Sequence, residues 1–196
     1  MIFDFDEDIL PAGIHPDHTE RTIERWIANA EDSAFCEAVA SDQRGRKLLE
    51  AVAGNSPFLA QNLQRDADFT CRLFRDGPDA AFAEVLTAVN SAFGAIKDTG
   101  KVMEALREAK RHASLTIGVA DITEVWDVDR VMLNLSDFAE ATISAAARHA
   151  LRQASDAGRI PLADPNDPET RSGYVVLALG KLGAPELNYS SDVDLI

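Results

Sequence analysis

The sequence is poor in the side chains that most often announce chemistry. Its two cysteines, Cys36 and Cys71, lack CxxC spacing and sit in apolar, helix-like settings, so they read as reduced, buried thiols rather than as a disulfide or a metal site. The four histidines, His15, His18, His112 and His149, form no HExxH or similar cluster. His15 and His18 are three residues apart, which fits a solvated N-terminal turn better than a ligand pair. No run of eighteen apolar residues occurs, and the opening MIFDFDEDIL is acidic where a secretory signal would be basic. Neither a membrane span nor export is expected, and the expected location is the cytoplasm. Positive charge is also scarce: 19 Lys and Arg against 33 Asp and Glu leave a formal net charge of -14. A field of that sign repels phosphate backbones and anionic lipid surfaces, which argues against nucleic acid and membranes as partners. No fixed-period repeat is present, so a solenoid is not expected.

What the chain does contain is a core. At 196 residues with 46% apolar and 27% charged side chains it has the make-up of a soluble globular protein. From about residue 16 to 157 the pattern is helical. Asp17 and Thr19 offer N-caps to a first helix carrying Ile23, Trp26, Ile27 and Ala30 at helical spacing. RKLLEAVAG stops at Gly54, Ser56-Pro57 opens FLAQNL with a cap and a proline, and Gly77-Pro78 breaks the chain again. The next stripe runs through Phe82, Val85, Leu86, Val89 and Phe93. Asp98 and Thr99 then offer caps to a helix bearing Val102, Leu106, Ala109 and Ala113, whose Arg107, Lys110 and Arg111 read as a solvated face rather than an anion-binding patch. The longest pattern begins near Asp127 and ends at Gly158, with Trp126 as a core anchor just before it.

The character then changes. Residues 159–173, RIPLADPNDPETRSG, hold three prolines among Asp, Asn, Ser and Gly and read as a boundary loop between a helical region, 1–158, and the start of another domain, 174–196. YVVLAL, free of charge and flanked by Gly173 and Gly180, predicts a buried strand. Gly180 permits a sharp turn and close approach of a phosphate to main-chain N–H groups, and Lys181 adds a positive charge there. Asp192 and Asp194 follow in DVDLI; in a strand their side chains share a face with Cα atoms about 6.6 Å apart, while Val193, Leu195 and Ile196 support the strand and would face a core. Two convergent carboxylates suit a divalent cation, and Mg2+, which binds hard oxygens and substrate phosphates together, fits best. The pattern is not a P-loop, because it lacks the required glycine spacing and the Ser or Thr after Lys.

The run GKLGAPELNYSSDVDLI closely resembles the signature of the bacterial glutamine synthetase adenylyltransferase and adenylyl-removing enzyme family, GKLGG-x-ELNYSSD-x-DL, with Ala184 at the position of the second glycine. LREAKRHASLTIGVADI, LSDFAEATISAAARHAL and SPFLAQNL are similar to the helical segments that precede it. The resemblance implies a mainly α chain: a helical region followed by the first strands of a truncated DNA-polymerase-β-like nucleotidyltransferase α/β domain. It implies Asp192 and Asp194 as the catalytic, metal-binding pair, Gly180 and Lys181 as the phosphate-binding turn, and Ser191 as a further phosphate or metal-shell contact. It also implies Mg2+ as cofactor, ATP, ADP and phosphate as small-molecule partners, glutamine synthetase as protein substrate, and a nitrogen-signalling regulatory protein as partner.

Family members carry two such domains, one adding AMP to a tyrosine and one removing it by phosphorolysis. With one helical region from Met1 and no earlier signature, the expectation is the removing half, releasing ADP. Two strands are too few for a stable sheet, so the chain is expected to be a fragment, inactive alone. The alternatives are a nucleotidyltransferase with another acceptor, and a helical module that docks glutamine synthetase or its regulator.

Overall fold

A computed structural model describes residues 1–92 and 96–196. Phe93, expected to continue an apolar stripe, lies outside the described residues. The chain is mainly helical: α1 Pro16–Asn29, α2 Ser33–Ser41, α3 Gln43–Ala53, α4 Pro57–Arg65, α5 Ala67–Asp76, α6 Pro78–Ala92, α7 Thr99–Ile122, α8 Val128–Asp156 and the four-residue α9 Gly180–Gly183. No helix among the described residues is long and apolar enough to cross a membrane. The chain divides into two compact units, Met1–Glu84 with Arg111–Val128, and Val85–Lys110 with Asp129–Ile196.

In the first unit α1 packs on α2, α3, α4 and α5. The core is built from fully buried large side chains, among them Trp26, Leu48, Leu63, Phe74, Leu115 and Ile117. Trp26 meets Phe74 edge-on, with ring centroids 5.5 Å apart, and its indole N–H donates to the Ala67 carbonyl at 3.3 Å. The boundaries follow the local chemistry. Ser56 accepts the Leu59 N–H at 3.2 Å with Pro57 behind it, and Gly77, at φ +86°, ends α5 immediately before Pro78. Trp126 is the anchor its sequence position suggests: it is buried, and its N–H donates to Asp79 at 2.8 Å.

An acidic N-terminal arm lies along this unit. The Arg44 guanidinium bonds Asp4 at 2.8 Å and the Phe5 carbonyl at 2.6 Å while covering the Phe5 ring, and Lys47 reaches Glu7 at 3.3 Å.

Two details depart from expectation, and a third adds to one. Helix α1 starts at Pro16 with His15 as N-cap and no side-chain cap, because proline's fixed φ and missing N–H already suit the first helical position; Asp17 and Thr19 lie inside the helix. Arg111 is not part of a solvated basic face. It turns inward to bind Asp66 through two bonds of 2.6 and 3.0 Å, beside His112, whose ring stacks on Phe69 at 3.9 Å. Arg107 and Lys110 are exposed, as expected. The cysteines are free and buried, but they also meet, with Sγ atoms 3.0 Å apart.

In the second unit Asp98 caps α7 by accepting the Lys101 N–H at 2.9 Å, and the Thr99 hydroxyl contacts the His149 ring at 2.9 Å. Gln153 of α8 donates to the Lys97 carbonyl at 2.8 Å. Beyond α8, which is followed by Gly158 at φ +69°, Arg148 holds the loop through Glu169 at 2.7 Å. YVVLAL is not a buried strand: Tyr174, Val175, Leu177 and Leu179 are exposed, and pairing is limited to a short antiparallel ladder centred on the Ala178–Leu195 bridge. Its apolarity marks a segment suited to a sheet interior, but a two-stranded ladder is too small to bury both faces.

Candidate active site

The ladder fixes the geometry of the terminal motif. Leu177 and Ile196 exchange N–H to O bonds of 2.7 and 3.0 Å, and the Leu179 N–H donates to the Asp194 carbonyl at 2.9 Å. This register sets Asp194 opposite the residue before Gly180. The Asp194 carboxylate lies 3.5 Å from the point where a Cβ on Gly180 would stand. Gly180 itself has φ +57°, a left-handed conformation that side chains disfavour, so the turn calls for glycine, while the space beside the carboxylate would admit a Cβ.

From Gly180 the backbone makes the single turn of α9, closed by Gly183 N–H to the Leu179 carbonyl and Ala184 N–H to the Gly180 carbonyl, both at 3.2 Å. Leu182 is buried and Lys181 exposed, which leaves the ammonium in solvent at the turn. The Glu186 N–H returns to the Lys181 carbonyl at 2.8 Å. Leu187 is buried, and its N–H donates to the Ser136 hydroxyl of α8 at 3.2 Å.

Residues 188–191 form a turn with Ser190 at φ +60°. The Ser191 N–H donates to the Asn188 carbonyl at 3.2 Å, and the Ser191 hydroxyl bonds the Asn188 side chain. Asp192 and Asp194 then emerge on extended, exposed chain. Val193, Leu195 and Ile196 do not face a core as expected; all three are exposed, because so short a ladder cannot bury both its faces.

The donor set is two carboxylates on the outside of a short ladder. No group of three or more metal-binding side chains occurs among the described residues. Two hard oxygen donors fit Mg2+, which keeps several waters and takes other ligands from substrate phosphate. They do not fit a closed protein cage.

Sequence reasoning missed two residues of this region. Asn188 carried a local signal, since an Asn three residues before a Ser is turn chemistry. Ser136 carried none, standing 51 residues upstream of its partner within a helical stripe.

The family model for glutamate-ammonia ligase adenylyltransferase matches residues 46–196, which include the turn, the ladder and the Asp pair. The chain belongs to this family. Similar relatives are each named bifunctional glutamine synthetase adenylyltransferase/adenylyl-removing enzyme. That of Rhodopseudomonas palustris strain HaA2 is 38% identical over 97% of this chain and 21% of its own length. That of Bradyrhizobium sp. strain BTAi1 is 39% identical over 92% and 19%, and that of Brucella suis biovar 1 is 36% identical over 86% and 17%. The chain thus spans about a fifth of the length of these relatives. No solved structure matches it.

Proposed function

We propose that this chain is the part of a glutamine synthetase-modifying nucleotidyltransferase that contributes a phosphate-binding turn and a metal-binding carboxylate pair. The reaction we assign to it is phosphorolytic removal of AMP from a tyrosine of glutamine synthetase. The observation that carries the reading is the antiparallel pairing of Leu179 with Asp194, which sets a carboxylate beside the Gly180-Lys181 turn. Both nucleotidyltransferase domains of the family share this motif, so the experiment below separates removal of AMP from its addition.

In this reading Asp192 and Asp194 hold Mg2+, which when bound neutralises charge on the phosphoryl oxygens. Gly180 lets an anionic group approach the backbone, and the exposed ammonium of Lys181 steadies that group. Ser191 shapes the turn that delivers the carboxylates, in addition to a contact with phosphate or the metal's shell. Inorganic phosphate attacks the α-phosphorus of the AMP–tyrosine ester, the bond to the phenolic oxygen breaks, and ADP and the free tyrosine result. Because the molecule is strongly acidic, attraction of so anionic a substrate depends on the cation and on Lys181.

The test uses a protein in which the chain continues to the length of its relatives. Incubated with adenylylated glutamine synthetase, Mg2+ and phosphate, it is expected to release ADP, and Asp192→Asn and Asp194→Asn to lower the rate at least 100-fold, on the order of the loss seen when transition-state charge stabilisation is removed. AMP transfer from ATP to the unmodified substrate, without phosphate-dependent ADP release, would keep the enzyme class and reverse the direction. Absence of both activities would refute the reading.

A further inference from the structure

The terminal motif meets α8 in a hydrogen bond between Leu187 and Ser136. Ser136 is 3% exposed and Leu187 is 5% exposed, so the N–H of Leu187 has little access to water. The Ser136 hydroxyl donates to the Met132 carbonyl one turn back, at 2.9 Å. Its proton is therefore committed to the helix, and its oxygen lone pair faces the Leu187 N–H at 3.2 Å. The hydroxyl is thus oriented as an acceptor before the loop arrives.

Two further bonds lie within the motif: Glu186 to Lys181, and Asn188 to Ser191. They shape the loop without fixing it to the helix. Leu187 stands five residues before Asp192, after a buried Leu182 that is five residues before it in turn. The segment is pinned at Leu182 by packing and at Leu187 by packing and a hydrogen bond. Between Leu187 and the carboxylates there is only the short Asn188–Ser191 turn.

We propose that Ser136 is a positioning residue for the Asp192 and Asp194 pair, acting through the Leu187 backbone. The inference rests on the reading of those aspartates as cation ligands, and it concerns what sets their place relative to the Gly180 turn. An acceptor oxygen is required at residue 136. Alanine abolishes it and leaves a buried N–H without a partner, whereas threonine keeps it, since Thr also returns its hydroxyl proton to the carbonyl four residues back.

The experiment compares the parent chain with Ser136→Ala, Ser136→Thr and Asp192→Asn. Backbone NMR shifts and the exchange rate of the Leu187 amide are measured without metal, followed by affinity for Mn2+ from water-proton relaxation, with Mn2+ as the probe for a hard divalent cation. Ser136→Ala is expected to speed Leu187 exchange, to displace the resonances of Gly180, Asp192 and Asp194, and to weaken Mn2+ binding about ten-fold, the low end of the effect for groups that orient metal ligands. Ser136→Thr is expected to restore all three.

A loss of thermal stability with unmoved Asp192 and Asp194 resonances would overturn the proposal and leave Ser136 as a packing residue. Unchanged Mn2+ affinity in Ser136→Ala, with Asp192→Asn reducing it, would also overturn it. Mn2+ binding that is absent, or insensitive to Asp192→Asn, would instead sink the reading of the aspartates beneath it; the metal-free shifts would still decide whether Ser136 places them.

Discussion

Thr116 sits within α7 with no exposure, and its hydroxyl has no hydrogen-bond partner among the described residues. An unpaired buried hydroxyl forfeits its hydration, so replacing it by a methyl group of similar size removes a cost. Thr116→Val is expected to raise stability by up to about 1 kcal/mol, read from the midpoint of urea unfolding. The Cys36 thiol offers a second residue-scale test. Burial, then the hydrogen bond with Cys71, pushes it far above its ordinary value of 9.0, and burial also raises Cys71. Folded thiols therefore stay protonated where unfolded ones ionise. Their contribution is complete below pH 9 and is lost as pH rises above it. Under reducing conditions a Cys36→Ala, Cys71→Ala chain is expected to lose less stability between pH 8 and pH 10 than its parent.

At the scale of elements, the corner between α2 and α3 is closed by Gly45. A Cβ there would stand 2.2 Å from the Val39 carbonyl oxygen and 2.8 Å from a Val39 methyl carbon. Backbone must move to admit it, and Gly45→Ala is expected to destabilise by about 3 kcal/mol in a denaturation measurement. Ser56→Ala, which removes only the cap of α4, is expected to cost about 1 kcal/mol.

Helix boundaries of this kind were legible in the sequence wherever a cap, a proline or a glycine acts on its immediate neighbours, as at Ser56-Pro57, Gly77-Pro78 and Asp98. What could not be read were contacts between residues distant in sequence. Asp66 and Arg111 are 45 residues apart, and nothing local distinguishes a half-buried, paired guanidinium from the solvated Arg107 on the same helix. The terminal ladder shows the converse limit. The pairing of DVDLI with the preceding apolar run was within reach of pattern reasoning, but burial was not, because burial depends on what a strand packs against. The order of Gly180, Lys181, Asp192 and Asp194 was plain from local motif chemistry, whereas the anchoring of Leu187 by Ser136 belongs to tertiary packing.

Across the whole molecule, stability is unevenly distributed. Helices α3 and α5 carry Leu48, Leu49, Val52, Leu73 and Phe74 at full burial, while Asp192–Ile196 is exposed throughout. Amide hydrogen exchange is expected to be slowest in α3 and α5 and at least 100-fold faster along 192–196, the behaviour of local opening against opening of a core.

The exposed ladder also bears on how the molecule behaves in concentrated solution. Val175, Leu177, Leu179, Leu195 and Ile196 are exposed, and the ladder's outer edges are free to template further strands. Near neutral pH the charge of -14 keeps copies apart. That repulsion vanishes as pH approaches the isoelectric point of about 4.6, and it is screened beyond about 3 Å at 1 M salt. Turbidity and second virial coefficients should therefore report a colloid held in suspension by its surface charge.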